Sequence, residues 1–416
     1  MAVDIKTAHE HLWKYCRGQG YAGYDPYDGL NSRMFQATPL RHSRTARLAW
    51  TQFHKRSPIN FRSLVGVPRE RNAKAIALFA LAALADFRRH PTAENEIEAR
   101  ELLDDLIWMS LKGFKGACWG YNFDWQSRSF FVPRGTPTIV PTAFAARALC
   151  EAAEVLSRDE YLPFARTICD FILNDLNRSE ETGDEVCFSY SPLDNTRVFN
   201  ASLLAGETLA VVGGLLGEQS LIDWAQRVAL YVTRRQQSNG SWAYGGDTYQ
   251  SWSDNFHTAY ILTSLSRIVH SQVGKSSLPP QSFEAERAPA TLPDLRAGQA
   301  THLDFNSALM RGYEYGTEGF FLKNGWPKYF PDRLYPADIH SSASAIIALV
   351  ELRGRIPNTL MLAKQIADWT FENLRDPQGF FYYQKRRFVT VRIPYMRWAQ
   401  AWMMYALARL REALEK

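Results

Sequence analysis

The chain has 416 residues, 46% of them hydrophobic, and a formal net charge of +5. That is ample for a large core, and the mild charge lacks the dense basic stripe expected of a nucleic-acid-binding protein while suiting an anionic ligand. Five scattered cysteines without a CxxC pair, no signal-like apolar stretch at the N-terminus and no apolar run of bilayer-spanning length predict a reduced, cytoplasmic protein with no transmembrane segment.

Residues 1–71 read as the least regular part, rich in Arg, Tyr, Pro and Gly, with one helical stretch near 45–55. The first strong core helix is Ala73-Lys-Ala-Ile-Ala-Leu-Phe-Ala-Leu-Ala-Ala-Leu84, apolar almost all round and therefore expected inside. A charged, outer-type helix follows at 93–111, with its acids early, as the helix dipole favours. From there one pattern recurs. An outer helix runs into a Gly-aromatic-Tyr loop, and an inner helix rich in Ala, Ser, Leu and Gly comes next.

The loops are Gly116-Ala-Cys-Trp119-Gly-Tyr121, Phe188-Ser-Tyr190, Gly240-Ser-Trp242-Ala-Tyr244, Gly325-Trp326-Pro-Lys-Tyr329 and Gly379-Phe380-Phe-Tyr382, with a weaker copy at Gly20-Tyr21-Ala-Gly-Tyr24. Inner helices begin near Pro141, Asn200, His257, His340 and Trp398; outer helices include 161–176 and 221–235. Strand signals are few. A Pro-rich stretch at 272–300 interrupts the interval and reads as a surface excursion that could also fold over the mouth. Each hairpin needs neighbours to bury its faces. The expectation is therefore one all-α domain over 1–416, an (α/α)6 toroid whose aromatic loops share one mouth.

Inner-helix N-termini should converge at that mouth and favour an anion. Asp254 and His257 stand three apart at a helix start, on one face, and Asp338 and His340 occupy the equivalent place one repeat later. Each Asp could orient its His for acid–base work, the two could form a glycosidic carboxylate pair, or each could simply cap its helix. His257, Asp338 and His340 could instead hold a zinc ion, although no cofactor is expected overall. Trp119, Trp125, Tyr190, Tyr244, Trp252, Trp326 and Tyr329 are candidate stacking surfaces for sugar rings, with Asp124 as a polar contact and Arg134 as a clamp for an anionic substrate. Any one loop tryptophan is equally explained by hairpin packing, Trp242 above all.

Gln236-Gln-Ser-Asn-Gly240-Ser-Trp242 fits Q-x-x-x-G-x-W and resembles the repeat motif of terpenoid cyclases and protein prenyltransferase β subunits, both α/α toroids. Asp254-Asn-Phe-His257 resembles the prenyltransferase segment that carries its zinc-ligating His, and Asp338-Ile-His340 resembles the Asp-x-Cys pair with His in place of Cys. The order of the two segments is reversed here, and the Asp-x-Asp-Asp acid motif of the cyclases is missing. A resemblance over nearly the whole chain is to a bacterial family associated with exopolysaccharide biosynthesis. It rests on Ser57-Pro-Ile-Asn-Phe-Arg-Ser-Leu-Val-Gly-Val-Pro68, 137–143, Phe188-Ser-Tyr-Ser-Pro-Leu-Asp194 and 252–260. It supplies a context rather than a mechanism. Six-hairpin glycosidases, lyases and sugar epimerases share the architecture.

Three readings follow. The first is a carbohydrate-active enzyme acting on an acidic oligo- or polysaccharide by hydrolysis, elimination or epimerisation. The second is an isoprenoid cyclase or prenyltransferase with a metal, and the third is a non-catalytic glycan-binding subunit. The oligomeric state is left open.

Overall fold

The structure, a computed structural model, describes residues 4–127, 131–273 and 297–415. Its helices are α1 (Ile5–Gly18), the short α2 (Arg33–Gln36), α3 (Arg44–Arg56), α4 (Ala73–Arg89), α5 (Ala93–Trp108), α6 (Ile139–Val155), α7 (Tyr161–Asn174), α8 (Phe199–Leu216), α9 (Gln219–Thr233), α10 (Asn255–Val273), α11 (Ala297–Phe320), α12 (Ile339–Glu351), α13 (Thr359–Leu374) and α14 (Trp402–Leu414). Helices α4, α6, α8, α10, α12 and α14 pack side by side in that order, and α14 returns to α4, so the inner ring is closed. Outer helices α5, α7, α9, α11 and α13 back the first five, and α1 backs α14. The architecture is an (α/α)6 toroid.

The inner helices are made for close approach. In α4 the residues Ala75, Ala77, Ala80, Ala82 and Ala85 are all buried, and small side chains let neighbouring backbones come near. Helix α8 is long and apolar enough to cross a bilayer, contrary to the expectation that no such run exists, but 78% of it is buried inside the ring, between α6 and α10. Its apolarity is that of a helix surrounded by protein on all sides.

Residues 1–71 are more regular than expected, because α1 is the sixth outer helix. Its buried residues Ala8, His9, Leu12, Trp13 and Cys16 trace one helical face. The Pro-rich stretch expected at 272–300 falls almost wholly outside the described residues. The helix ends that flank it, Val273 and Ala297, lie at the end of the barrel away from the aromatic loops.

The repeat motif has a clear mechanical meaning. The first N–H of an α-helix has no partner within the helix. Here Ile139, Phe199, Asn255 and Ile339 donate it to the backbone carbonyls of Tyr190, Tyr244, Tyr329 and Tyr383, at 3.0, 3.2, 3.0 and 3.1 Å. Helices α6, α8, α10 and α12 are thus capped from the next loop, the last by Tyr383, one residue beyond the motif's Tyr382, whereas α4 is capped by its own Asn72. Met396, at the start of the last inner segment, donates to the Tyr24 carbonyl at 3.0 Å, so the weak N-terminal copy completes the circle.

The loop glycines lock onto the next outer helix. Gly240 (φ +85°) leaves no room for a Cβ, which would fall 2.4 Å from the Arg311 carbonyl oxygen on α11. Gly379 (φ +100°) does the same against His11 on α1, at 2.8 Å. Trp119 and Trp242 are buried and donate their indole N–H to the Leu106 and Val232 carbonyls, tying each loop to the end of its own outer helix at 2.7 and 2.9 Å.

The strands are loop decorations at the mouth. β1 (Trp125–Gln126) pairs with β2 (Phe131–Val132), and β3 (Arg178–Glu181) with β4 (Val186–Phe188). β5 (Ala337–Asp338), β6 (Gln384–Lys385) and β7 (Thr390–Val391) form a three-stranded sheet in that order. That sheet joins the loop before α12 to the loop before the last inner helix.

Candidate active site at the mouth

A cavity of about 270 Å³ opens among the aromatic loops. First-turn residues of the inner helices form its floor: Lys74 of α4, Val140 of α6, Asn200 of α8, His257 and Tyr260 of α10, and His340 of α12. Trp398 comes from a π-helical turn, Met396–Ala401, that leads into α14. Such turns often mark functional positions, because the widened helix re-aims its side chains. Tyr27, Lys55, Tyr121, Trp125, Tyr190, Tyr244, Trp252 and Tyr329 form the walls.

His257 is the group best arranged for proton transfer. Its Nδ1 lies 2.7 Å from Asp254 Oδ2, and its backbone N–H donates to Asp254 Oδ1 at 3.0 Å. The Trp252 indole N–H also donates to Asp254 Oδ2, at 3.2 Å. With Nδ1–H held by the carboxylate, Nε2 is left as the basic nitrogen of a ring that lines the cavity. Asp254 therefore caps α10 and orients its histidine at once. The alternatives of cap and catalytic partner, kept apart in the sequence, coincide in one side chain.

The second pair is built differently. Asp338 is fully buried and does not line the cavity. Its oxygens accept from Gln384 Nε2 (2.6 Å), the His340 backbone N–H (2.9 Å) and the Trp398 indole (2.9 Å). Burial lifts its carboxyl to about 6 against the pull of those hydrogen bonds. It is an anchor that joins three elements, not a partner of the His340 ring. His340 Nε2 accepts instead from Tyr260 Oη at 2.9 Å, and Tyr260 Oη accepts from Lys74 Nζ at 3.0 Å. Burial first, then the Lys74 and Arg397 cations, holds His340 well below the usual histidine value. Trp398 and Trp402 flank its ring at 4.2 and 4.5 Å.

The zinc set expected at His257, Asp338 and His340 does not assemble. His257 Nδ1, both Asp338 oxygens and His340 Nε2 are each committed to other partners. Among the described residues no three His, Cys, Asp or Glu side chains group as metal ligands.

Of the expected substrate contacts, Trp125, Tyr190, Tyr244, Trp252 and Tyr329 line the cavity, with Trp252 stacked on Tyr244 at 4.7 Å. Four others do not. Trp119 is consumed by hairpin packing. Trp326 packs on Trp369 and donates to the Leu334 carbonyl. Asp124 accepts the Arg134 backbone N–H at 2.7 Å, and Arg134 is exposed and paired with Glu70 at 2.9 Å.

Sequence reasoning passed over Lys74, Tyr260, Arg397 and Lys55. Lys74 had a signal: it is the lone charge in an apolar twelve-residue run. Arg397 is matched by Asp25 through two bonds of 2.6 and 2.8 Å, and Lys55 donates to Tyr27 Oη at 2.7 Å.

A larger cavity of about 800 Å³ lies at the other end of the barrel. Five Arg and five Glu line it, and eight of the ten, drawn from all six inner helices, have an opposite charge beside them: Arg88, Arg147, Arg267 and Arg409 with Glu151, Glu207, Glu351 and Glu412. Matched charges leave little for a ligand to do, so the smaller cavity at the mouth is the better candidate.

No family model matches the sequence, and no curated protein matches it. Solved structures match its fold. Cellobiose 2-epimerase from Bacillus thermoamylovorans is 11% identical with a TM-score of 0.59, over 82% of this chain and 88% of that one. A possible member of the GH105 family from Salmonella enterica is 11% identical with a TM-score of 0.61, over 99% and 95%. An unsaturated glucuronyl hydrolase specific for heparin is 12% identical with a TM-score of 0.55, over 99% and 96%. The shared feature is the six-hairpin toroid. At such identities the likeness is one of fold.

Proposed function

We propose that this chain is a carbohydrate-active enzyme that removes a proton from a sugar carbon beside a carbonyl or carboxylate carbon, leading to epimerisation or elimination. The observation that carries the reading is the Asp254–His257 pair on a cavity whose described lining holds no second carboxylate. Among the described lining residues Asp254 is the only acid. Glycoside hydrolysis ordinarily needs two carboxyl groups facing the scissile bond. Proton abstraction needs one oriented base, which His257 supplies, and aromatic walls on which a sugar ring can stack.

Structural neighbours named as a cellobiose 2-epimerase and an unsaturated glucuronyl hydrolase support a saccharide substrate. An acidic glycan of exopolysaccharide metabolism remains the preferred substrate, by the sequence resemblance. The cytoplasm is the proposed compartment, since all five cysteines are unpaired and buried.

Incubation with uronic-acid oligosaccharides in heavy water tests the reaction. Deuterium entering a ring carbon, or an unsaturated product, is expected. His257→Ala should lower turnover on the order of 10²–10⁴-fold, the usual worth of a general base. Asp254→Asn keeps a cap acceptor and should lower turnover with little loss of melting temperature. Near-normal turnover in both variants would overturn the assignment, and saturable binding with no product would favour a glycan-binding subunit.

A further inference from the structure

The basic side chains around the mouth mostly have acids beside them. Arg397 holds Asp25, Arg62 holds Asp28, Arg134 holds Glu70, and Arg197 holds Glu180 and Asp247. Lys74 does not. Its residue is 2% exposed, and among the described residues no carboxylate lies within 4.0 Å of its ammonium. Nζ donates to Tyr260 Oη at 3.0 Å and sits 4.8, 4.9 and 5.2 Å from the ring centres of Phe144, Trp402 and Tyr260. The faces of those rings favour a cation, but they do not replace a counter-ion.

The direction of the hydrogen bonds is informative. Lys74 donates to Tyr260 Oη, which leaves the phenol proton to bridge the 2.9 Å to His340 Nε2. An ammonium in that place has two further N–H groups to offer. Burial, and then the Arg397 cation, pushes Lys74 well below the usual lysine value, the signature of a charge that lacks its partner. The first N–H groups of α6, α8, α10 and α12 are already taken by tyrosine carbonyls, and the Lys74 backbone N–H of α4 by Asn72 Oδ1 at 3.1 Å.

We propose that Lys74 receives the carboxylate of a uronic-acid unit, so that the substrate brings the counter-charge the cavity floor lacks. This rests on the proposed reaction and names the substrate class for it. Lys55, the other ammonium on the cavity, already donates to Tyr27 Oη at 2.7 Å, and Arg397, the one arginine among the described lining residues, is matched by Asp25, so Lys74 fits one negative charge better than a phosphate or diphosphate. Tyr260 and His340 are then positioning residues that aim the ammonium.

The chemistry balances without a co-reactant. His257 takes the proton from C5. The C–H electron pair forms a C5–C6 double bond and places negative charge on the carboxylate oxygens, where Lys74 stabilises it. In epimerisation a proton returns to the opposite face of C5. In elimination that pair forms the C4–C5 double bond, the C4–O bond breaks with its pair, and the departing oxygen takes up a proton.

The test compares oligoglucuronate, oligogalacturonate and oligomannuronate, each as free acid and as methyl ester, by calorimetry. At least one acid should bind wild type ten times or more tighter than its ester. In Lys74→Met, acid and ester should bind alike, with the melting temperature kept or raised, and Lys74→Arg should restore part of the preference. Lys74→Gln serves if the Met variant fails to fold. Acids bound no tighter than esters by wild type, or a preference that survives in Lys74→Met or Lys74→Gln, would overturn the proposal; so would Lys74-dependent binding of geranyl diphosphate alone. A Lys74-dependent acid preference without deuterium exchange at the sugar sinks the reaction and leaves the role of Lys74 standing. Exchange that continues unchanged in Lys74→Met does the reverse.

Discussion

The two ends of this barrel are built by the same six helices and obey opposite rules. At the base, eight charged side chains from all six inner helices neutralise one another. Burial works against ionising Glu351, yet Arg267, Arg409 and Arg147 hold its carboxyl at about 2. Glu207 accepts two bonds of 2.6 Å and one of 2.9 Å from Arg147, and one of 2.7 Å from Ser264. At the mouth, among the described residues, Lys74 and Lys55 have tyrosine hydroxyls and no carboxylate beside them. Matched charges hold helices together, whereas unmatched ones in a cavity await something from outside.

That contrast can be broken by substitution. Arg267 touches Glu151, Glu207 and Glu351, so Arg267→Met strands buried carboxylates and should cost about 3–5 kcal/mol of stability. Turnover per folded molecule should hold, as denaturant unfolding and an activity assay on the same sample would show. A base variant that keeps its stability and loses turnover would erase the distinction. Removing both members of one pair, in Arg147→Met with Glu207→Leu, should cost less than the sum of the single changes. A double-mutant cycle measures the difference.

Acid should pull the two ends apart. His9, at the base end of α1 beside Arg411, is held at about 3 by burial first and by nearby arginines, against an ordinary 6.5. The unfolded chain binds that proton more readily, so stability falls as pH drops below 6.5 towards 3. Asp338, near the mouth, has its carboxyl raised to about 6 from 3.8, so the folded state binds its proton more readily and this contribution fades as pH rises from 3.8 to 6. Melting curves between pH 4 and 6 should therefore show a gentler acid loss in His9→Gln and a steeper one in Asp338→Asn than in wild type. Parallel curves for all three would refute both assignments. The smallest effect expected is Trp252→Ala, which removes one stacking face and should weaken saccharide binding by about 0.5–1.5 kcal/mol.

Much of the toroid was legible because its motif is local. A glycine that must meet the next outer helix and a tyrosine whose carbonyl caps the preceding inner helix recur at fixed places, and the Ala-rich runs between them announce an inner ring. Helix α1 was missed although its face at positions 5, 8, 9, 12, 13 and 16 is regular, because its partner α14 lies at the far end of the chain. The site was half legible. Asp254 and His257 belong to one turn of helix, so their spacing already places them together. Lys74, Tyr260 and His340 come from α4, α10 and α12, and only ring closure brings them into a line. Asp338 shows the converse limit. Its place at the start of an inner helix copies that of Asp254, although two residues and not three separate it from its histidine, but Gln384 and Trp398 arrive from other segments and claim its oxygens.

The pairing of α1 with α14 also sets an order of events during synthesis. The first helix leaves the ribosome with one apolar face and nothing to cover it. Its partner is the last helix to be made, roughly 20–80 s later at ordinary elongation rates. Until then the ring is an open arc with two raw edges, α1 with α4 at one and the growing helix at the other. A nascent chain of this kind gains its full stability only once α14 has been made. Premature stops anywhere before α14 should therefore yield aggregation-prone fragments, not smaller folded rings.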